Sequence, residues 1–408
     1  MAQGMTGGPW LTLIGLGEDG RAGLSPAANA ALAQAALVVG GARHLELAAP
    51  LACATLAWPS PLELAFPQIL ARRGEKVVVL ASGDPFFYGV GSVLARHVPA
   101  SDMVCLPAPS AFSLVAARLG WAQQDCALLT LHGRPLERII PHLFDGAKII
   151  ALSWDESTPQ KLAALLTARG FGGSRLTICE HLGGPRERVR AARASDFLLD
   201  DIAPLNTIAL DLVADRDAKI LSRAPGLPDD FFEHDGQITK AEIRALTLSA
   251  LGPRRGETLW DIGAGSGSVA VEFLLADEAN AAFAIEAHPA RAARIARNAL
   301  ALGAPRLKVI EGRAPEALQG LPQPEKIFVG GGVTAPGVLD AGLAALAPGG
   351  RLVVNGVTLE TQALLIARHE ALGGELISAQ ISRAERLGGF FALRPALPIL
   401  QWTYPKPW

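Results

Sequence analysis

The segment from Thr258 to Phe273, TLWDIGAGSGSVAVEF, constrains the fold of this chain more than any other part. A short apolar strand passes into a glycine hairpin and then directly into a helix, the order found in nucleotide-cofactor loops. Gly263, Gly265 and Gly267 remove side chains where the backbone must turn tightly and approach a ligand, and the next helix begins with free N–H groups. The pattern predicts an α/β domain whose ligand lies at the carboxyl end of a strand.

The spacing of these glycines also distinguishes between cofactors. Ser268 stands where the dinucleotide fingerprint needs a glycine for close packing of helix and strand. About 23 residues beyond Gly263 a second apolar run, AAFAIE, ends in Glu286, which is placed to accept hydrogen bonds from two ribose hydroxyls. These features together predict S-adenosylmethionine. A glycine-rich turn without function explains a lone G-x-G, but not the strand, loop, helix, second strand and terminal acid in sequence.

The first half of the chain has two further loops. IGLGEDG spells G-x-G-x-x-G, but Glu18 and Asp19 would place carboxylates where a pyrophosphate must sit, and the next helix is predicted to begin only at Ser25-Pro26. This excludes a dinucleotide site there. After the strand VVVLAS, the turn Gly83-Asp84-Pro85 exposes one carboxylate at a strand end. A strand-ending turn and a functional turn explain it equally well.

Composition sets bounds on the class of protein. The 408 residues favour two or three domains, and the net charge of -2 gives no overall reason to expect nucleic acid or a membrane surface as partner. The four cysteines are far apart without a C-x-x-C pair, which suits a reducing compartment and argues against a zinc site. No apolar run approaches the roughly 18 residues that span a bilayer. We expect a cytoplasmic protein without a metal.

Short β-rich runs alternate with helical stretches from Leu11 to about Val213, an α/β pattern. A charged, proline-bearing stretch follows, and the alternation then restarts. We therefore predict a first domain over residues 1–215, a linker over 216–236 and a second domain over 237–408. The second sheet is expected to be mostly parallel and to end in a late helix and two strands, near 375–383 and 390–403.

Several motifs resemble known proteins. The first half resembles the tetrapyrrole methylases, in particular the domain that methylates precorrin intermediates, through IGLGEDGRAGLS, VVGGARHL, LASGDPFFYGVG, PAPSAFSL and EHLGGPRERVR. The second half resembles the class I S-adenosylmethionine-dependent methyltransferase and decarboxylase domain that accompanies it, through GQITKAEIR, DIGAGSGSVAVEF, EGRAPEAL, FVGGG and PGGRLVVNGVTLET. The resemblance covers nearly the whole chain except the linker.

This resemblance implies a two-lobed N-terminal tetrapyrrole methylase fold, a Rossmann-like C-terminal class I fold and two S-adenosylmethionine sites per chain. The implied reaction is methylation of precorrin-6Y/6B at macrocycle carbons 5 and 15, with decarboxylation of the ring C acetate on carbon 12, to give precorrin-8 in cobalamin biosynthesis. The first domain is assigned to carbon 5, and the second to carbon 15 and decarboxylation. A small-molecule tetrapyrrole is then the partner, with no nucleic acid or membrane, and a homo-oligomer is expected.

The resemblance also implies which residues contact the cofactor. In the first domain, between its two lobes, they are Leu16, Gly17, Gly83, Asp84, Ser110 and Ala111. In the second domain they are Thr239, Asp261, Gly263, Ala264, Gly265, Ser266, Gly267, Glu286 and Ala314. Related domains often carry an acid in an E-G-D motif where this chain has Arg313. Adenine recognition is therefore expected from the backbone near Ala314.

Methyl transfer from a sulfonium is an in-line displacement in which the donor carries its own leaving group, so the protein mainly positions the partners and excludes water. Loss of carbon dioxide needs a protonated electron sink, for which Glu242 and His234 are the candidate acids beside the second cofactor loop. A first-turn helix carboxylate, stabilised by the helix dipole, is the alternative explanation of Glu242.

A substrate with several carboxylates requires local cations. Lys240 and Arg244 have the i, i+4 spacing that places both on one helix face near the second loop, and we expect both to be largely exposed. Arg186 and Arg188 begin a second arginine cluster that extends to Arg193. A solvated arginine face explains that cluster about as well as a carboxylate clamp.

Two other functions stay open from the residues alone. The C-terminal domain could methylate RNA or protein, since its fold serves many substrates, although an N-P-P-Y type motif and a broad basic face are both missing. One domain could instead be a non-catalytic cofactor-binding or assembly module.

Overall fold

The computed structural model of the protein describes residues 8–408, and the chain forms two compact units. Unit 1 comprises the chain up to residue 136 together with 144–219. Unit 2 comprises 137–143 together with 220–408.

The first lobe of unit 1 is a five-stranded parallel sheet of order β3-β2-β4-β1-β5. Its strands are β1 (Leu11–Leu16), β2 (Leu37–Gly40), β3 (Ala54–Ala57), β4 (Val77–Ser82) and β5 (Met103–Leu106). Its helices are α1 (Pro26–Ala33), α2 (Ala42–Leu47), α3 (Phe66–Leu70), α4 (Val90–Leu94) and α5 (Ala111–Leu119). Strands β1 and β4 are almost wholly buried because apolar clusters cover both faces of the sheet. Since β1 and β4 are parallel neighbours, Leu16 pairs with Ser82 and the two glycine loops begin side by side.

Helix α1 begins as the sequence predicts. The Ser25 hydroxyl accepts a hydrogen bond from the N–H of Ala28, and Pro26 occupies the first helical position. The IGLGEDG loop therefore does not lead directly into an α-helix.

The second lobe of unit 1 is a mixed five-stranded sheet of order β6-β7-β10-β8-β9. Its elements are β6 (Cys126–Thr130), β7 (Lys148–Leu152), α6 (Thr158–Ala168), β8 (Arg175–Glu180), β9 (Arg188–Arg193) and β10 (Asn206–Asp211). Only β6 and β7 pair in parallel, and the other three pairs are antiparallel. Helix α5, which follows the first sheet in the chain, packs against β7 and β10 of this second sheet through Phe112 and Val115, which are fully buried.

Unit 2 has a seven-stranded, mostly parallel sheet of order β13-β12-β11-β14-β15-β19-β16, as predicted. Its first strands and helices are α7 (Ala241–Leu251), β11 (Thr258–Ile262), α8 (Ser268–Ala276), β12 (Ala281–Glu286), α9 (Pro289–Ala301), β13 (Lys308–Glu311), β14 (Lys326–Val329), α10 (Val338–Ala345), β15 (Arg351–Gly356) and α11 (Leu359–Leu372). The last strands are β16 (Glu375–Ala379), β17 (Ser382–Leu387), β18 (Phe390–Pro395) and β19 (Ile399–Pro405). Strand β11 lies in the middle of the five parallel strands, so its glycine loop opens between neighbours on both sides.

The end of unit 2 corrects the prediction of two late strands. Four strands are present, and β17 and β18 form a separate two-stranded hairpin whose residues are all exposed. Phe390 and Phe391 are 82% and 70% exposed at the turn of this hairpin. Strands β16 and β19 are antiparallel and close one edge of the sheet.

Residues 220–236 pack within unit 2 although their sequence has the character of a linker. Leu227 and Phe232 belong to the buried core beneath α8, and the N–H groups of Gly226 and Leu227 donate to the Glu272 carboxylate at 2.6 and 2.9 Å. We therefore propose that the second domain begins near Ile220 rather than at residue 237.

Arg244 is fully buried, so the prediction that it faces a substrate is wrong. Its guanidinium donates to four groups, the carboxylates of Glu272 and Asp229 and the carbonyls of Thr239 and Leu227. An arginine in the core is tolerated because every direction of its planar donor fork meets an acceptor. Although Lys240 and Arg244 are four residues apart, the Arg244 side chain faces the core and the Lys240 side chain faces the surface.

Replacing Arg244 with Met should destabilise unit 2 by about 3–5 kcal/mol, because Glu272 and two carbonyls would stay buried without their donor. Urea unfolding of the full chain, with hydrogen exchange locating the loss in residues 226–251, measures this. Arg297→Met is the matched control, since Arg297 pairs with Glu233 on the exposed surface and its loss should leave stability unchanged. Equal effects of the two substitutions would contradict the role assigned to Arg244.

Candidate functional site

The larger cavity described here lies in unit 2, at the carboxyl ends of three adjacent parallel strands. It measures about 870 Å³. Gly263 to Gly265 follow β11, Glu286 ends β12, and Gly330 and Gly331 follow β14, and all line it. This is where an open α/β sheet binds its ligand.

Two glycines of the loop are required for different reasons. Gly263 has φ +67°, and a Cβ there would lie 2.6 Å from the Gly331 carbonyl oxygen, so the loops after β11 and β14 approach each other only without a side chain. Gly267 has φ +74°, and its Cβ would lie 2.6 Å from Ile295 on α9. Gly263 thus shapes the cavity, whereas Gly267 allows α9 to pack against the start of α8.

Glu286 holds the glycine loop and also borders the cavity. One carboxylate oxygen accepts the N–H of Gly265 at 2.9 Å, and the other accepts the N–H of His288 at 2.9 Å. The side chain is buried, yet each carboxylate oxygen keeps a second lone pair. The arrangement can therefore accept further hydrogen bonds from neighbouring hydroxyl groups, as predicted for a ribose.

Asp261 supports the loop from behind. It is buried in β11, and one carboxylate oxygen accepts the N–H of Ala270 at 3.1 Å while the other has no hydrogen-bond partner. Burial raises the pKa of Asp261 to about 7, with a smaller contribution from the negative charge of Glu286.

The structure brings six of the nine predicted cofactor residues of unit 2 to the cavity wall: Thr239, Gly263, Ala264, Gly265, Glu286 and Ala314. Asp261, Ser266 and Gly267 are not part of the cavity wall. The carbonyl of buried Ser266, for example, accepts the side-chain amide of Asn298.

The predicted acids and cations are distributed unevenly around this cavity. Glu242 lines it and forms an ion pair with Arg383 of β17. Lys240 also lines it, and its ammonium lies 3.3 Å from Asp229. His234 is exposed, is not part of the wall, and accepts the N–H of Gly236 at 3.1 Å.

Three arginines of the wall were not predicted as substrate contacts: Arg291, Arg313 and Arg383. Arg313 was noted only as a departure from the E-G-D motif. Arg383 belongs to the exposed hairpin, where the sequence carries no burial pattern that would place it beside the cofactor loop.

A smaller cavity of about 310 Å³ lies in unit 1 between its two lobes. Five predicted cofactor residues line it: Leu16, Gly17, Gly83, Ser110 and Ala111. Asp84 does not. Its carboxylate accepts the N–H of Phe86 at 2.8 Å, which is the strand-ending turn that the sequence left open as an alternative. The second lobe contributes Cys179, His181 and Asn206, among others.

Polar side chains form a network along this cavity. Glu18 forms ion pairs with Arg43 and with His181, whose Nδ1 lies 3.1 Å from the Glu18 carboxylate. His44 Nε2 lies 2.8 Å from the Ser82 hydroxyl and 3.2 Å from the Arg43 guanidinium. Burial lowers the pKa of His44 to about 4, and the positive charge of Arg43 adds to this effect. The motifs IGLGEDGRAGLS, VVGGARHL, LASGDPFFYGVG and EHLGGPRERVR contain these residues, but nothing in their spacing predicts that they meet.

Arg186 and Arg188 are not part of either cavity wall. Arg188 lies on β9, and with Arg190 it pairs with the buried Glu180 carboxylate on β8. Burial alone would raise the pKa of Glu180, but the hydrogen bond from Arg188 and the nearby positive charges outweigh it, and its pKa lies below the usual value. The cluster is therefore a strand face held by an ion pair, with Arg186 exposed before it.

Across residues 8–408 no group of three or more His, Cys, Asp or Glu side chains is arranged to hold a metal ion. In the same residues no helix is both long and apolar enough to cross a bilayer.

Comparison with known proteins assigns a family description to each half. Residues 11–198 match the model for "Tetrapyrrole (Corrin/Porphyrin) Methylases", and residues 230–406 match "Precorrin methyltransferase domain". A relative from Sinorhizobium sp, named "Precorrin-6Y C(5,15)-methyltransferase [decarboxylating]", is 54% identical over 399 residues, which cover 98% of this chain and 97% of the relative.

Two shorter relatives carry names of single reactions. A "Cobalt-precorrin-7 C(5)-methyltransferase" of Salmonella typhimurium is 32% identical and covers 44% of this chain and 88% of its own. A "Probable cobalt-precorrin-6B C(15)-methyltransferase (decarboxylating)" of Pyrobaculum aerophilum is 38% identical and covers 43% of this chain and 93% of its own.

The buried Asp261 predicts a specific pH dependence of stability. Its pKa is higher in the folded protein than in the unfolded chain, so its stabilising effect is complete below about pH 4 and is lost as the pH rises to about 7. Asp261→Asn lacks this titration. The free energy of unfolding of the variant should therefore rise relative to wild type between about pH 4 and pH 7 and then level off. Urea unfolding at several pH values measures the difference, and a difference independent of pH would contradict it.

Proposed function

This chain belongs to the family of precorrin-6Y C5,15-methyltransferases (decarboxylating), and on that premise we propose that its two units perform the two methylations separately. The enzyme is a C-methyltransferase that methylates precorrin with decarboxylation in cobalamin biosynthesis. Unit 1 methylates carbon 5. Unit 2 methylates carbon 15 and removes the ring C acetate carboxyl on carbon 12, giving precorrin-8.

The observation that carries this proposal is that each unit has its own cavity beside glycine turns at the carboxyl ends of parallel strands. The existence of separate relatives named for the C(5) and the C(15) reactions, each matching less than half of the chain, supports the division.

The residues of the larger cavity fit S-adenosylmethionine. A Cβ at Gly263 would fill the space between the two loops, Glu286 keeps lone pairs for ribose hydroxyls, and the Ala314 backbone borders the same cavity. When bound, S-adenosylmethionine supplies a methyl group on a sulfonium that leaves as a neutral thioether. The protein's contribution is to orient both partners and to exclude water. We propose one such site in each unit.

We propose that Lys240, Arg313 and Arg383 bind substrate carboxylates at the larger cavity, in place of Arg244, which is buried, and Arg188, which lies outside the cavity wall. Glu242 stays a proposed proton donor for decarboxylation, since it lines the cavity beside Arg383. His234 is no longer supported in that role, because it lies outside the wall.

We also propose a cytoplasmic location, since all four cysteines are free, as expected in a reducing compartment. A homo-oligomer stays a prediction, which light scattering on the purified chain would test.

A matched pair of substitutions tests the division of labour. Ala264→Trp and Ala111→Trp each place an indole in one cavity from a residue that already has a Cβ, so neither adds strain at a glycine. Each variant should bind one S-adenosylmethionine where wild type binds two, as measured by calorimetry. Ala264→Trp should lose carbon-15 methylation and decarboxylation, and Ala111→Trp should lose carbon-5 methylation.

Carbon-13-labelled methyl groups in the products, resolved by NMR, identify the carbon that each variant still methylates. If the substrate must be methylated in a fixed order, each variant is also supplied with the product of the other. Loss of decarboxylation in Ala111→Trp under those conditions would contradict the proposed division.

Arg313→Gln should raise the KM for the tetrapyrrole in the unit 2 reaction, with little change in kcat or cofactor affinity, because only the attraction to an anion is removed. Added salt should weaken substrate binding by wild type more than by the variant. Lys308→Gln is the control, since Lys308 is exposed on β13 and lies outside the cavity wall. The same salt dependence in all three proteins would exclude Arg313 as a carboxylate contact.

A further inference from the structure

His181 lines the smaller cavity but is not one of the residues predicted to contact the cofactor. It follows β8 directly, lines the cavity, and its side chain is 15% exposed. Its Nδ1 is 3.1 Å from the carboxylate of Glu18, which follows β1 in the other lobe and has only 9% of its side chain exposed. The second oxygen of that carboxylate is held by Arg43. The imidazole is thus oriented by a carboxylate that is itself fixed in place.

This contact determines which imidazole nitrogen can react. A carboxylate only accepts hydrogen bonds, so Nδ1 carries the hydrogen and Nε2 has the lone pair of the neutral ring. Among the described residues, no protein group forms a hydrogen bond with Nε2. The geometry is that of a carboxylate that orients a histidine as a general base.

The backbone at His181 is also unusual. Its φ of +46° lies in the left-handed region, which non-glycine residues rarely adopt. Hydrogen bonds on both sides hold it there, from its own N–H to Leu205 and from the Gly184 N–H to its carbonyl. Such conformations concentrate at functional sites, where the surrounding structure imposes them.

The other groups at this cavity are less suitable bases. The titratable and charged side chains that line it besides His181 are Glu18, Arg43, His44, Tyr88 and Cys179. The Tyr88 hydroxyl donates to the Leu128 carbonyl at 3.1 Å. His44 Nε2 already contacts Arg43 and Ser82, and burial lowers its pKa to about 4, which makes it a weak base. Burial raises the pKa of the Cys179 thiol to about 12. Glu18 is engaged by both Arg43 and His181.

The proposed reaction requires such a base. A methyl group leaves a sulfonium with the bonding electron pair remaining on sulfur, so the macrocycle that supplies the electron pair for the new C–C bond gains one positive charge. It returns to neutrality only by losing one proton, whose bonding electrons stay in the conjugated system.

We propose that His181 is the general base of the unit 1 methylation and takes this proton on Nε2, with Glu18 as the residue that positions its ring. The inference rests on the proposed assignment of carbon-5 methylation to unit 1, and it adds a catalytic role to that assignment.

The test uses His181→Asn in the full chain, because Asn tolerates a positive φ and keeps a polar group but accepts no proton at neutral pH. The single-turnover rate of carbon-5 methylation should fall by about 10²-fold, while the carbon-15 reaction is unchanged. In wild type this rate should decline at acidic pH as the imidazole is protonated, and His181→Asn should lose that decline. His132→Asn, at an exposed histidine outside the cavity, is the matched control and should behave as wild type.

Glu18→Gln separates positioning from packing. It should lower the single-turnover rate of carbon-5 methylation with little change in the KM for the tetrapyrrole, because the neutral amide holds the Nδ1–H of His181 less firmly, and Glu18→Asp, which keeps an accepting carboxylate, should recover part of the rate. Nitrogen-15 NMR of the unliganded protein should show His181, assigned by the signal that His181→Asn lacks, as the Nδ1–H tautomer in wild type and as a mixture of tautomers in Glu18→Gln. This measurement keeps the inference testable if a variant folds poorly.

A full carbon-5 rate with an unchanged pH profile in His181→Asn would overturn the inference. If Ala111→Trp still abolishes carbon-5 methylation in that case, the assignment of the reaction to unit 1 stands and only the role of His181 fails. If Ala111→Trp leaves carbon-5 methylation intact, the assignment itself fails.

Discussion

The contacts of one buried guanidinium, that of Arg244, organise the part of unit 2 on which the larger cavity depends. Through Leu227, Asp229 and Thr239 it ties the irregular segment before α7 to the helices behind it, and through Glu272 it is neutralised inside the core. Thr239 is also part of the cavity wall. The segment before α7 has no periodic sequence, but it is held in place because the carbonyls of Leu227 and Thr239 and the carboxylate of Asp229 all accept hydrogen bonds from the Arg244 guanidinium.

Both cavities lie beside glycine turns of the backbone, but different polar side chains surround them. In both, glycine turns after adjacent parallel strands open a space that side chains would fill. In unit 2 the carboxylate of Glu286 lies at a strand end beside the cofactor loop, whereas unit 1 places the network of Glu18, Arg43 and His181 where its two lobes meet. Each unit thus has a cavity beside its own sheet, and the polar side chains around the two cavities differ.

The sequence predicts the central strands of both units well. The strands that it does not predict differ from them in length or in burial. LTLIGL, VVVLAS, TLWDI and AAFAIE are strands with the expected limits, because a parallel strand buried on both faces is a continuous apolar run. Strands β2, β3 and β6 are runs of only four or five residues that the sequence pattern did not identify, and β9 reads as an arginine cluster. Leu227 stands alone, and Phe231 and Phe232 are a single apolar pair without periodicity, so the burial of Leu227 and Phe232 was not predictable.

The same limit applies to the sites. The spacing within one βαβ unit predicts that the glycines after β11 and Glu286 lie at the ligand site, and Gly263, Gly265 and Glu286 line the cavity. The prediction that Arg244 faces the substrate was wrong because its acceptor Glu272 lies on another helix. The sequence shows which residues share a helix face but not which face is buried. His181 and Glu18 come from strands in separate lobes, and a contact over that separation leaves no local pattern.

The two hydrogen bonds to the Glu286 carboxylate also affect how a ligand could bind there. Two backbone N–H groups fix its carboxylate before any ligand arrives, and neither bond must break when hydroxyl groups approach the remaining lone pairs. A hydroxyl group that bonds to these lone pairs therefore meets a carboxylate that is already in place, and little conformational entropy is lost at this residue on binding.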